Sequence, residues 1–350
     1  MMVKIKNLGF ILFLLINANT SNGSPEWAKD AIWYQIFPER FRNGDKSNDP
    51  TIETLDGTWP FEPVQEWQIS PWGSDWYKLQ KWELKTGKDF YYIAQRRRYG
   101  GDIQGIIDKL DYLEELGVNA LYLNPVFESP SLHKYGATLL HHIDNNFGPN
   151  PEQDLSILKH ENPDSPKEWK WTLSDKLFLK LIKECHSRNM KIIIDGVFNH
   201  VGLNFWALKD VRKNGKSSAY ADWFTVKKWD DPSTKENEFE CEGWSGFMGL
   251  PEFKKTNNDY PKDLKSYFHA VVQRWMDPNN DGNPEMVIEC KAPHVKIDDK
   301  VLNQILVYQY KIDAPYLLIS NGLESYCLYV NRNEKRVEYL ESIPTCHFFE

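Results

Sequence analysis

The chain has 350 residues, a 41% hydrophobic share and a formal net charge of -8. Length and apolar content allow one large domain or two ordinary ones with a real core. The acidic balance offers no global basic field, so neither nucleic acid nor an acidic membrane surface is expected as a partner.

At the N-terminus, Lys4 and Lys6 precede the apolar run Leu8–Ile16. That run is too short to span a bilayer and suits a signal peptide, with Ala18, Ser21 and Gly23 as small residues for cleavage. Residues 1–23 are therefore set apart from the fold. A secreted or periplasmic protein without a stable membrane anchor is expected.

Ala31–Phe37 reads as a buried strand stopped by Pro38, followed by a loop-like stretch from Arg42 to Tyr99. Asp102 then caps a helix whose Ile103, Ile106, Ile107, Leu110, Leu113 and Leu116 fall at helical spacing, and Gly117 ends it. Val118–Leu123 is the next strand. A helix from about Ser174 to Arg188, apolar at Phe178, Leu181, Ile182 and Cys185, leads into strand Lys191–Val197. The order strand, helix, strand, helix, strand predicts a parallel sheet with helices outside. Such sheets place their chemistry at the C-terminal ends of the strands.

Residues 201–260 are irregular, aromatic and charged, and read as an excursion above the sheet. Pro261 opens a helix with Leu264, Tyr267, Phe268, Val271 and Trp275 inward. The tail reads as strand Met286–Glu289, helix Asp298–Lys311, strand Tyr316–Ser320, turn Asn321-Gly322, and strands near Ser325–Val330 and Arg336–Leu340. All fourteen Trp lie between Trp27 and Trp275, which marks a boundary near residue 280. Trp-rich sequence suits stacking on sugar rings as well as core packing. The five cysteines (Cys185, Cys241, Cys290, Cys327 and Cys346) show no CxxC or Cys/His spacing. That scatter argues against a disulfide framework and against a zinc site.

Several separated motifs carry a resemblance. They are Trp33-Tyr-Gln-Ile-Phe-Pro-Glu-Arg-Phe41, Gly100-Gly-Asp-Ile-Gln-Gly105, Asn124-Pro-Val-Phe-Glu-Ser-Pro130, Asp195-Gly-Val-Phe-Asn-His200, Leu250-Pro-Glu-Phe253 and Trp275-Met-Asp-Pro-Asn279. In this order they resemble the alpha-amylase family of glycoside hydrolases over about residues 26–283. The resemblance implies the first three strand-helix units of a (β/α)8 barrel within residues 24–283, with 201–260 as the inserted excursion domain. It implies an α-1,4-glucan or maltooligosaccharide as partner, with His200, Tyr135 and Asp195 as substrate-binding residues.

Asn43-Gly-Asp45-Lys-Ser-Asn48-Asp49 packs four oxygen side chains around a turn, the chemistry a hard cation needs. By resemblance the loop binds calcium through Asn43, Asp45, Asn48, Asp49, the Gly100 carbonyl and Asp102, with Asn199 as a ligand of a second ion.

The pattern also departs from the family. Gly136 stands where the family has Asp, and Leu140 where it has Tyr. The family takes its nucleophile, its acid/base and a further Asp from later strands, and its Gly-Phe-Arg-Leu-Asp-Val motif occurs nowhere here. A retaining glycosidase needs two carboxyl groups flanking the bond. Hydrolytic inactivity and low stability of the isolated three-strand portion are therefore expected. Residues 284–350 instead carry Glu289-Cys-Lys291, then Gln304 and Tyr308 at i and i+4, then Pro315–Gly322. This run resembles the N-terminal domain of type I restriction enzyme subunits, where carboxylates bind magnesium and Lys supports the attacking water. The upstream Asp of such a site is missing, so Glu289 and Lys291 are half a nuclease motif. The chain reads as a chimera joined at Asp281–Pro284. The alternatives are an inactive glucan-binding remnant and a nuclease-related DNA-binding protein.

Overall fold

The computed structural model describes residues 30–62, 64–73, 75–231, 233–234, 238–256, 259–276, 286–290 (backbone alone), 296–298, 301–302, 316–321, 323–331 and 336–340. The leader, Lys291, Gln304, Tyr308 and the Glu289 side chain lie outside them. The fold separates into two compact units, Ala31–Asn283 and one that holds Pro284–Glu350.

The larger unit is built on β1 (Trp33–Ile36), β2 (Ala120–Leu123) and β3 (Lys191–Ile194), parallel and in that spatial order. Trp33 pairs with Ala120 and Ala120 with Lys191, so the three strands end level. Among the described residues no strand pairs with the outer edges of β1 or β3. Burial follows: Leu121 and Leu123 of β2 are fully buried, every residue of β3 is half-buried, and Trp33 of β1 is 43% exposed. Unpaired edges carry free backbone groups as well as uncovered side chains.

The first predicted helix is two. Helix α1 (Ile103–Ile107) starts where Asp102 accepts a hydrogen bond from the Gly105 amide at 2.6 Å. The backbone leaves helical geometry at Lys109 (φ -110°, ψ 1°) before α2 (Leu110–Glu115). Gly117, at φ +84°, closes the segment in a conformation that favours glycine. Helix α3 (Pro151–His160), capped by Asn150, was not read in the sequence. Helix α4 (Leu173–Ser187) has a capping box formed by Thr172 and Asp175 and buries Phe178, Leu181 and Cys185. The excursion contains a further unread helix, α5 (Trp206–Asn214), and an antiparallel pair, β4 (Val226–Lys228) with β5 (Glu240–Cys241). Helix α6 (Lys262–Met276) buries Leu264, Tyr267, Phe268, Val271 and Trp275, as their spacing predicts. Removing side chains of this size from water stabilises by about 1.5–3 kcal/mol each before entropy is counted.

The smaller unit is a mixed sheet. Strand β6 (Met286–Cys290) runs parallel to β7 (Tyr316–Ser320), and β8 (Ser325–Asn331) and β9 (Arg336–Leu340) follow antiparallel. Leu317, Ile319 and Leu328 pack with Ile297 on one face, and Leu318 and Cys327 on the other, the alternation a pleated strand imposes. Asp298 accepts from the Val301 amide at 3.1 Å and starts the predicted helix there. Cys185, Cys241 and Cys327 are buried free thiols. Among the described residues no helix is long and apolar enough to cross a membrane.

Candidate sugar-binding site and cation loop

The C-terminal tips of β2 and β3 set the site. The chain beyond β2 loops through residues 126–144 and brings Tyr135 over the tip of β3, where its hydroxyl donates to Asp195 Oδ2 at 2.8 Å. Burial and this carboxylate hold the Tyr135 hydroxyl well above its ordinary pKa, so it stays a donor. Gly202 passes so close to this loop that a Cβ there would sit 2.4 Å from the Gly136 carbonyl oxygen. Gly202 also donates its amide to Ala137 O at 2.9 Å. Glycine at this crossing is a packing requirement.

His200 is 6% exposed and its Nε2 has no hydrogen-bond partner. Burial lowers its pKa, opposed by Glu252 and by the Tyr135 backbone, which favours a neutral ring. The ring lies against Trp244, with centroids 5.2 Å apart. The motif around Leu250 returns from the excursion to this point: Val201 N donates to Pro251 O and Phe253 N to Asn199 O, both at 3.0 Å. A neutral imidazole with an unused nitrogen, a Tyr–Asp pair and an exposed indole face make a set that can bind a polyhydroxylated ring.

The structure thus brings His200, Tyr135 and Asp195 to one end of the sheet. It adds residues that sequence reasoning missed. His133 Nδ1 accepts from the Tyr135 amide at 3.0 Å, and burial, with Arg98 and Lys134 nearby, holds its pKa down to about 4. His133, Trp59 and Phe247 line a cavity of about 60 Å³ beside Gly136. Trp244 and Phe247 lie far from Tyr135 along the chain, so spacing carried no signal for them. Leu140, at the position of the family's Tyr, is fully buried in the core.

The oxygen loop also assembles, around Asp102. The amides of Gly44 and Asp45 donate to Asp102, the latter at 2.9 Å, and Asn48 Nδ2 reaches it at 3.2 Å. Asn43 Nδ2 donates to Asp49 Oδ1 at 2.5 Å. Gly100 (φ +70°) backs onto this pair, and a Cβ there would meet Asp49 Oδ1 at 2.2 Å. Asp45 instead turns its carboxylate to Ser47, accepting from its amide at 2.9 Å. Two buried acceptors, Asn43 Oδ1 and Asn48 Oδ1, have no hydrogen-bond partner. Burial also raises the carboxyls of Asp49 and Asp102 above their ordinary values. Unpaired buried oxygens beside desolvated carboxyls fit a hard cation, because a buried acceptor without a donor costs about 1–3 kcal/mol. Asn199 lies apart from this loop, and its Oδ1 accepts from Lys255 Nζ at 2.7 Å. A lysine ammonium thus sits where a second cation was expected.

The model of the alpha-amylase catalytic domain matches residues 35–162 and 174–301. The chain belongs to that family, with three strands of its barrel and the inserted excursion present. Residues 263–344 match the N terminus of type I restriction enzyme R protein, overlapping the first match across the junction. A cyclomaltodextrinase from Thermoanaerobacter pseudethanolicus is 39% identical over 268 residues, covering 77% of this chain and 36% of that protein. Neopullulanase 2 from Thermoactinomyces vulgaris is 35% identical over 274 residues, covering 78% and 36%. Among solved structures, the type III pullulan hydrolase from Thermococcus kodakarensis superposes with a TM-score of 0.59 at 27% identity, covering 87% of this chain and 45% of that one. The chain spans about a third of the length of the curated relatives it matches.

Proposed function

We propose that this chain supplies the glucan-binding side of an alpha-amylase-type site for α-1,4-linked maltooligosaccharides and does not hydrolyse them by itself. The observation that carries the reading is the strand-tip cluster. Tyr135 is fixed on Asp195 at 2.8 Å, and His200 Nε2 is free of any protein partner beside Trp244. The family reaction is a double displacement that needs a nucleophile and an acid/base carboxyl about 5–5.5 Å apart. The motifs that carry those groups do not occur in this sequence. The relatives named for cyclomaltodextrin and pullulan support a glucan as ligand.

The reading includes calcium in the loop of Asn43, Asp45, Asn48, Asp49, the Gly100 carbonyl and Asp102. The ion would fix the segment before α1, and no step of sugar chemistry runs through it. It also includes export, supported by the apolar run Leu8–Ile16.

Calorimetry of the full chain with maltohexaose tests binding, and a reducing-sugar assay on starch tests hydrolysis. Binding that is lost in His200→Ala, without release of reducing ends, is the expected result. Hydrolysis abolished by Glu252→Gln would overturn the inactivity. Absence of binding in a folded protein would overturn the reading as a whole.

A further inference from the structure

A second polar cluster shares no residue with the sugar site. His141 and His142 leave the loop after β2 and are fully buried, and Glu161 follows α3 with its side chain 2% exposed. His141 Nε2 lies 3.1 Å and His142 Nε2 2.7 Å from the same atom, Glu161 Oε1. One ligand atom from each residue falls within 4.8 Å of the others.

Both rings are fixed from behind. His142 Nδ1 lies 2.8 Å from Asp175 Oδ2, which also accepts from Arg274 Nη2 at 3.0 Å. His141 Nδ1 meets the Tyr267 hydroxyl at 3.1 Å, and its ring stacks on Trp169 at 4.1 Å. Glu161 Oε2 accepts from the Lys170 amide at 2.7 Å. A carboxylate or hydroxyl on the outer nitrogen, with the inner nitrogen aimed at a shared centre, is how metal-ligating histidines are held. Asp175 and Glu161 can only accept, so without an ion His142 donates from both nitrogens, and an ion at the shared centre would take the place of the hydrogen on Nε2 while Nδ1 keeps its own.

We propose that His141, His142 and Glu161 form a site for a divalent transition metal of the zinc type. Two imidazoles and one carboxylate suit zinc and its neighbours, whereas calcium prefers oxygen alone. Magnitudes allow it. Zinc sits about 2.0–2.2 Å from such ligands, so two ligand atoms at a tetrahedral angle stand roughly 3.4 Å apart. The two separations from Glu161 Oε1, 3.1 and 2.7 Å, need to open by roughly 0.3–0.7 Å, and all three ligand atoms already lie within 4.8 Å of one another. The bound ion ties the loop after β2, the end of α3 and, through Asp175 and Tyr267, helices α4 and α6.

The test uses the full chain, stripped with a chelator, dialysed against zinc or cobalt, and analysed for metal content and by X-ray absorption. One equivalent per chain with two imidazole ligands is expected. Glu161→Gln, checked for folding by near-UV circular dichroism, should weaken retention at least tenfold. Asp49→Asn in the oxygen loop should leave the zinc content unchanged. Equal zinc in the wild type and a folded Glu161→Gln would overturn the site. So would an absorption spectrum of the wild type with oxygen ligands only, which decides the matter if the variant does not fold.

Discussion

The oxygen loop around Asp102 and the histidine cluster around Glu161 bury polar groups in opposite ways. In the loop, Asn43 Oδ1 and Asn48 Oδ1 are left without partners, and burial lifts the carboxyls of Asp49 and Asp102. In the cluster both rings, Glu161 and Asp175 are engaged, and with Arg274 Nη2 they close a chain of contacts across four segments, leaving only Arg274 Nε without a hydrogen bond among its buried atoms. The loop thus keeps two acceptors that the proposed calcium would satisfy, while the cluster is already a connected network that an ion would re-centre. A network of buried charges is costly to interrupt, because removing one member leaves its partners desolvated and unpaired.

The largest expected effect follows from that asymmetry. Asp175→Ala takes the carboxylate from the Arg274 guanidinium, leaving it the Lys170 carbonyl, and removes the acceptor behind His142, besides the amide contacts to Ile143 and Thr172. It should cost about 3–5 kcal/mol in urea unfolding. A loss below about 1 kcal/mol would show that the network carries no more than surface pairs do. Next in size is calcium removal. Chelation should lower the melting temperature of the wild type, with calcium at a hundredfold its Kd restoring about 2.7 kcal/mol, and should leave Asp49→Asn unmoved. An unchanged wild-type melting curve would remove calcium from the loop.

The two clusters were also unequally legible in the sequence. The oxygen loop is local: Asn43 to Asp49 sit on one turn, and the Gly-Gly-Asp segment is marked by its cap and its glycines. The strands Tyr316–Ser320 and Arg336–Leu340 were read at the observed bounds for the same reason, since alternation is a short-range signal. The histidine cluster is not local. His141 and His142 lie in a stretch without period, and only the tertiary fold brings Glu161, Asp175 and Arg274 to them. Cysteine spacing, the usual zinc signal, was silent because no cysteine is involved. The break at Lys109 was hidden because the apolar spacing runs on through it from Ile103 to Leu116.

The smallest effect separates the network from the helix that carries Asp175. Thr172 caps α4, its side chain accepting from the Asp175 amide at 3.0 Å, while the Thr172 amide donates to Asp175 Oδ2 at the same distance. Thr172→Ala removes the hydroxyl but keeps the backbone amide, and so leaves Asp175 held by His142 and Arg274. The expected loss is that of one cap, about 1 kcal/mol. A loss approaching that of Asp175→Ala would mean that the cap sets the position of the carboxylate. The contacts to His142 and Arg274 would then follow from the helix start rather than stabilise it. If the two losses stay several kcal/mol apart, the stability resides in the charge network itself, which an ion bound between His141, His142 and Glu161 would reinforce.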